Sequence, residues 1–257
     1  MNKEKLLLEL SSRQKEAVEY SDGPLLIVAG PGSGKTRVIA HKIAYLNKIK
    51  KIPLNGILAV TFTNKAAKEL RERCQNLLNL SEDFYLDVKT FHSFCSRVLR
   101  FDGELVNVKN NYVIYDYDDQ SRIMKKILKE LDIDSKQVSS SLILGIISDA
   151  KNRMLSAKNF SENVDSYIEE IASRCYEKYE EFLVRSNSLD FDDLLLRCLN
   201  LFQSNNYILD KYQNFYKYFL IDEFQDTNPL QFEIAKILAN RSKNICVVGD
   251  PDQSIYS

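Results

Sequence analysis

The chain has 257 residues, a length for one large or two modest domains. Hydrophobic residues make up 44% and charged residues 28%, the balance of a soluble globular protein with a real core. The net charge of −1 excludes a chain that is basic overall, so any nucleic-acid binding has to come from a local groove. The five cysteines (Cys74, Cys95, Cys175, Cys198, Cys246) are scattered without a CxxC pair, and His41 and His92 are the two histidines. That argues against a disulfide framework or a Cys/His zinc site and fits a reducing, cytoplasmic setting. The opening MNKEKLLLELSS has an apolar run too short for a signal peptide, and no stretch approaches a membrane span.

In chain order, Ser11 or Ser12 is expected to cap a short helix carrying Ala17 and Val18. Gln14 lies near its start. The amide offers a donor and an acceptor together, which suits an adenine edge, although a glutamine on a helix is commonly just solvated. Residues 25–29 (LLIVA) read as a buried strand running into the loop Gly30, Pro31, Gly32, Ser33, Gly34. Lys35 and Thr36 then open a helix with Ile39, Ile43 and Leu46 on one face. Strand, glycine loop, Lys-Thr and helix form a phosphate-binding loop in its required context, with Ala29 where the first Gly usually stands. Glycines let backbone N–H groups face phosphate oxygens, and the helix dipole adds positive potential. Lys35 is expected to reach the β- and γ-phosphates and the Thr36 hydroxyl to hold Mg²⁺. An Ala/Gly-tolerant version of the motif arises by chance roughly 2% of the time in a chain this long, so the flanking strand and helix carry much of the weight.

Residues 57–61 (ILAVT) make a second strand, followed by a helix with Ala66, Leu70, Cys74 and Leu77 facing inward. Thr61, Phe62, Thr63 and Asn64 thus lie at a strand's carboxyl end, the rim where open α/β sheets bind ligands. Two readings stand level here: Phe62 stacks a nucleic-acid base with Lys65 near a phosphate, or Phe62 belongs to the core beside a helix cap. Residues 86–90 make a third strand, followed by His92, either a structural histidine or a nucleic-acid contact on the same rim.

From about 101 to 188 glycine is scarce and helical periodicity dominates. One helix starts at Asp118 or Asp119 with Ile123, Ile127, Leu128 and Leu131 on one side; another covers 142–153. A long one over 164–186 aligns Ile168, Ile171, Cys175, Tyr179 and Phe182. Residues 112–115 look strand-like. This region reads as a helical insertion between two halves of an α/β domain, its tyrosines serving packing. In LDFDDLL (189–195), Asp190 is expected to cap a helix with Asp192 and Asp193 in its first turn, a better reading than a metal site. YFLID (218–222) is a strand ending in carboxylates. Asp222 is placed to meet Mg²⁺ and Glu223 to orient and deprotonate a water; the alternative is an edge-strand terminus with exposed acids. Asn228 and Pro229 start a helix. A last strand over 245–249 (ICVVG) leads into DPDQSIYS, with Gln253 placed to contact a γ-phosphate and Tyr256 a base.

Together these segments resemble the superfamily 1A DNA helicases of the UvrD, Rep and PcrA type. SSRQKEAV (11–18) is similar to the Q motif, AGPGSGKT (29–36) to motif I, TFTNKAA (61–67) to motif Ia and TFHSFC (90–95) to the next DNA-contact motif. LDFDDLL (189–195) resembles the motif before motif II, IDEFQDTN (221–228) motif II with Phe224 where Tyr is often found, and VGDPDQSIY (248–256) motif III. The resemblance implies an α/β fold: a RecA-like P-loop NTPase parallel sheet, subdomain 1A, over 1–100 and 189–257, with an all-helical inserted subdomain 1B over 101–188. It implies a catalytic set of Glu223 as base with Lys35, Asp222 and Gln253. The implied ATP-binding set is Gln14, Ala29, Gly30, Pro31, Gly32, Ser33, Gly34, Lys35, Thr36 and Arg37, with Thr36 and Asp222 on Mg²⁺. The DNA-binding set is Thr61, Phe62, Thr63, Asn64, His92 and Tyr256.

The implied activity is Mg-ATP hydrolysis coupled to 3′-to-5′ movement on single-stranded DNA and unwinding at duplex junctions, in repair or replication. The resemblance also implies a second RecA-like domain, absent from this sequence, whose arginine fingers are worth roughly 10³- to 10⁵-fold in related NTPases. The expectation is therefore the N-terminal part of a longer helicase, with weak or no hydrolysis by these residues alone. Two alternatives stay open: a nucleotide-dependent DNA-binding module without unwinding, or part of an AddA/RecB-type helicase–nuclease.

Overall fold

The computed structural model describes residues 3–81, 85–134 and 138–253. The chain divides into two compact units: unit 1 is Met1–Phe94, Asn206–Thr227 and Ala235–Ser257, and unit 2 is Cys95–Asn205 and Asn228–Ile234. Unit 1 begins with α1 (Lys3–Leu7), α2 (Ser12–Glu19), β1 (Leu25–Val28), α3 (Lys35–Lys48), β2 (Ile57–Thr61), α4 (Asn64–Leu78), β3 (Asp87–Thr90) and the start of α5 (Phe91–Asp102). Unit 2 continues with β4 (Val113–Ile114), α6 (Tyr117–Glu130), α7 (Ser140–Asn152), α8 (Ala157–Ser161), α9 (Tyr167–Arg185), β5 (Ser188–Leu189) and α10 (Phe191–Ser204). The chain closes with α11 (Asn206–Phe215), β6 (Tyr218–Ile221), α12 (Pro229–Ala239) and β7 (Ile245–Gly249).

The described strands of unit 1 form a parallel sheet in the order β1-β7-β6-β2-β3. Parallel neighbours need crossover connections, and amphipathic helices such as α4 between β2 and β3 provide them. The register pairs Val28 with Gly249, Ile221 with Val247, Val60 with Ile221 and Thr61 with Thr90, so every strand ends on the same rim. The loops after the strands therefore share one edge, the ligand edge of an open α/β sheet. Strands β2 and β6 are buried at every position, as interior strands between helical layers must be. Strand β1 departs from the expected buried run: it lies at the sheet's edge, and Leu26 and Val28 are 63% and 64% exposed.

One face of the sheet meets Ile39, Ile43 and Leu46 of α3 and Ala67, Leu70 and Cys74 of α4. The inward stripe of α4 is thus Ala67, Leu70, Cys74 and Leu78, while Ala66 and Leu77 are half-buried. Unit 2 has its own core, with Ile123, Ile127 and Leu128 of α6, Ile143 and Ile147 of α7, and Cys175, Tyr176 and Tyr179 of α9. Its helices begin at side-chain caps: Asp116, rather than Asp118 or Asp119, accepts the Asp119 N–H at 2.9 Å at the head of α6, and Ser139 and Ser166 cap α7 and α9. Among its described residues, the strands of unit 2 are the two-residue parallel pair β4·β5, and its other regular elements are helical. All five cysteines are free, buried thiols. Among the described residues no helix is long and apolar enough to cross a membrane.

Candidate active site

Strand β1 delivers the chain to the rim at Ala29, whose N–H donates to the Gly249 carbonyl of β7 at 3.1 Å. The loop then folds back on itself, Ser33 Oγ donating to the Gly30 carbonyl at 2.6 Å. Gly32 and Gly34 have φ of 72° and 85°, a region costly for any side chain. Gly34 precedes α3, and no side chain caps that helix. Helices α2, α4, α6, α7, α9 and α10 all begin with a capping oxygen from Ser, Thr or Asp. The first turn of α3 is therefore open to an anion. Gln14 is locked beside it: Oε1 accepts the Ser11 N–H at 3.0 Å in a capping box, and Nε2 donates to the Ser33 carbonyl at 2.9 Å. Ser11, not Ser12, is thus the cap. The amide keeps one further donor and one further acceptor position. Alongside runs a cleft of about 660 Å³ whose lining includes Gln14, Arg37, Arg73 and Asn76.

Asp222 follows β6, which is interior to the described sheet, and is buried, so it is not an exposed acid on an edge strand, while Glu223 beside it is half-buried. Burial, then the neighbouring Glu223 charge, pushes its carboxyl up to about 6. The Glu223 N–H, donating to Oδ1 at 3.1 Å, Lys35 and the Thr36 hydroxyl oppose that rise. Glu223 has φ 51° and ψ 48°, a left-handed conformation costing about 1–3 kcal/mol for a non-glycine residue and typical of functional sites. Lys35 Nζ stands 3.6 Å from Glu223 Oε2 and 3.8 Å from Asp250 Oδ2, close in charge but beyond hydrogen-bond length. Gln253 Nε2 donates to Asp250 Oδ2 at 2.6 Å. The structure thus brings Lys35, Asp222, Glu223 and Gln253 to one place, and adds two residues that the sequence reading passed over. Asp250 follows β7 directly, as Asp222 follows β6, and that parallel was the available signal. The other is Gln225, between Glu223 and the Asp250 backbone.

Farther along the rim, Thr61 is buried and its Oγ1 donates to the Thr63 carbonyl at 3.0 Å. Thr63 Oγ1 accepts the Ala66 N–H at 3.1 Å as the cap of α4. Between them Phe62 is 47% exposed, which excludes its core reading. Asn64 is exposed, and His92 is half-buried in the first turn of α5. Tyr256 lies outside the described residues.

In unit 2 the acids of LDFDDLL cap α10. Asp193 N–H donates to Asp190 Oδ1 at 2.8 Å and Asp190 N–H to Asp193 Oδ2 at 3.2 Å. Their counter-ion, missed in the sequence, is the wholly buried Lys151. Its Nζ lies 2.8 Å from Asp190 Oδ2, 2.8 Å from Asp193 Oδ1 and 2.9 Å from Glu180 Oε1. The Tyr179 hydroxyl donates to Asp190 Oδ2 at 3.1 Å. Burial pushes the Asp193 carboxyl up to about 7, with Lys151 pulling it back and Asp190 and Glu180 repelling it. Burial works against the Lys151 charge too, but the three carboxylates hold its ammonium well above the ordinary range. Among the described residues no group of three or more His, Cys, Asp or Glu is arranged to hold a metal.

A parallel sheet with an open glycine loop after β1 and acids just past β6 and β7 defines a RecA-like α/β domain. The chain belongs to the UvrD/REP helicase N-terminal domain family, which it matches over residues 10–257. It is similar to a protein of Leuconostoc citreum named ATP-dependent DNA helicase PcrA, 46% identical over 258 residues, covering 100% of this chain and 34% of that relative. Proteins of the same name from Staphylococcus epidermidis and Staphylococcus aureus are 43% identical over 251 residues, covering 98% of this chain and 34% of theirs. The chain thus spans about a third of the length of the curated relatives it matches.

Proposed function

We propose that this chain is the ATP-binding part of a cytoplasmic ATP-dependent DNA helicase that couples hydrolysis to 3′-to-5′ movement on single-stranded DNA. The observation that carries the reading is Lys35 Nζ poised 3.6 Å from Glu223 and 3.8 Å from Asp250 at an uncapped helix start. Neither contact is a hydrogen bond, so the ammonium can turn to the β- and γ-phosphates of ATP at small cost. The Gln14 amide uses its remaining donor and acceptor on the adenine edge, and Arg37 lines the same cleft.

Glu223 takes a proton from the attacking water as the new O–P bond forms at the γ-phosphorus. The bond from the bridging oxygen to that phosphorus breaks, and the charge left on ADP is met by Lys35 and the loop N–H groups. Gln253, held by Asp250, contacts the γ-phosphate. The Thr36 hydroxyl and Asp222 carboxylate fit Mg²⁺. They are hard oxygen donors, too few for an all-protein cage, and Asp222 is a desolvated acid that a cation relieves. Bound there, Mg²⁺ supplies charge neutralisation to the phosphates. On the DNA side, exposed Phe62 offers a ring face to a base, with Thr61, Thr63, Asn64 and His92 on the same rim and Tyr256 assigned from sequence. The rest of the ATP cleft and the unwinding of duplex junctions belong to the remainder of the intact protein.

DNA-stimulated ATP hydrolysis by the intact protein tests this reading. Lys35→Ala and Glu223→Gln should each abolish most turnover; undiminished hydrolysis in both overturns the assignments.

A further inference from the structure

Glu223 is 37% exposed at its side chain, and its backbone is left-handed. Nothing in its own chain geometry holds the carboxylate toward the glycine loop, and a glutamate free to turn loses three torsions' worth of order. Gln225 supplies the missing restraint. Its Nε2 donates to Glu223 Oε2 at 2.8 Å, and its Oε1 accepts the Asp250 N–H at 2.9 Å. The amide therefore ties the loop after β6 to the loop after β7. The same Asp250 takes the Gln253 amide on its side chain.

The seat of this amide is fitted from the other side as well. A Cβ on Gly249 would lie 2.9 Å from Gln225 Oε1 and 3.3 Å from the Gln225 nitrogen, closer than side-chain carbons stand. Any side chain at position 249 would displace Gln225 from Asp250 and Glu223 together. Two hydrogen bonds and a glycine that makes room for them point to one role.

We propose that Gln225 is a positioning residue that fixes the Glu223 carboxylate against the loop opened by Asp250, so that hydrolysis depends on Gln225 although Gln225 touches no nucleotide. The inference rests on the ATPase reading above. It sets Gln225 apart from Lys35 and Gln253, which face phosphate directly. It also makes Glu223, Gln225, Asp250 and Gln253 one hydrogen-bonded chain, through which the loop after β7 acts on the base.

The test is DNA-stimulated ATP hydrolysis by the intact protein carrying Gln225→Met, which keeps the length of the side chain and removes both hydrogen bonds. Loss of a bond to a charged acceptor should lower kcat about 10- to 100-fold. The KM for ATP, the affinity for a non-hydrolysable ATP analogue and the Tm should stay unchanged. In a Glu223→Gln background the same substitution should lower kcat no further, because the carboxylate it positions is gone. If Gln225→Met lowers the Tm, Gln225→Glu carries the test, since it keeps the acceptor for the Asp250 N–H and lacks the donor. Wild-type kcat in these variants while Glu223→Gln is inactive overturns the inference alone. So does a full additional loss in the Glu223→Gln background. Wild-type turnover in Glu223→Gln itself removes the base assignment and this inference with it, and that result shows in the single variant.

Discussion

A lysine among three acids occurs in each unit, and the two clusters are built in opposite ways. In unit 2, Lys151 is wholly buried and its ammonium meets Asp190, Asp193 and Glu180 at 2.8–2.9 Å. In unit 1, Lys35 stands among Asp222, Glu223 and Asp250, with Glu223 at 3.6 Å and Asp250 at 3.8 Å. The first arrangement satisfies its charges within the protein and leaves nothing for a ligand. The second holds them near one another but unbonded, next to a helix start that no side chain caps. Similar residue types thus make a fastener in one place and, on the reading proposed above, a receptive site in the other. What separates them is up to about 1 Å of distance and the exposure of one acid: Glu223 is 37% exposed, while Lys35 and Asp250 are nearly buried.

The largest effect that sharpens this contrast is on stability. Lys151→Met strands the buried Asp190 and Asp193 carboxylates and should destabilise unit 2 by about 3–5 kcal/mol in urea unfolding. Lys35→Met removes a cation near the buried Asp222 and Asp250 but breaks no hydrogen-bonded pair, so it should cost clearly less than Lys151→Met. Equal losses would break the comparison. The pH dependence has a definite sign. Asp193 is an acid with its carboxyl raised to about 7 from 3.8, so the stability linked to its protonated form is full below pH 3.8 and lost as pH rises through about 7. Without Lys151, which pulls it down, the Asp193 carboxyl rises further, so the deficit of Lys151→Met should shrink on acidification across that window.

A smaller effect separates the rim from the core. Phe62→Ala should weaken single-stranded DNA binding by about 1–3 kcal/mol, measured by fluorescence anisotropy, with no change in Tm, because the ring is exposed. A fall in Tm with unchanged binding would return Phe62 to a packing role. Smallest is Ser11→Ala, which removes the α2 cap that holds Gln14 and should cost about 1 kcal/mol of stability. No change there would mean that the Ser11 N–H and the Ser33 carbonyl, both kept in the variant, hold Gln14 without the hydroxyl.

Much of this was legible in the chain itself. The strands ILAVT and ICVVG announce themselves as short apolar runs, and the glycine loop as a strand–loop–helix pattern. The burial of Asp222 follows from its place after an apolar strand, since a run like YFLI has no polar face to show solvent. What stayed hidden depended on distance along the chain or on sheet order. Lys151 is 39 residues from Asp190, and nothing local in a helix of that composition marks one lysine for burial. The half-exposed β1 looked interior because its composition is apolar, while its place at the edge is decided by strand order. Phe62 could not be placed by spacing, because a strand-end aromatic packs or projects according to a single turn. Gln225 was invisible for a related reason. Its partners, Glu223 and Asp250, meet only when β6 and β7 pair.

The central claim is that the open cluster around Lys35 hydrolyses ATP with Glu223 as the base. Single-turnover hydrolysis of bound ATP by the intact protein carrying Glu223→Gln tests it most directly. The account predicts unchanged affinity for ATP and a chemical step slowed by about 10²- to 10⁴-fold. A chemical step at the wild-type rate would contradict it.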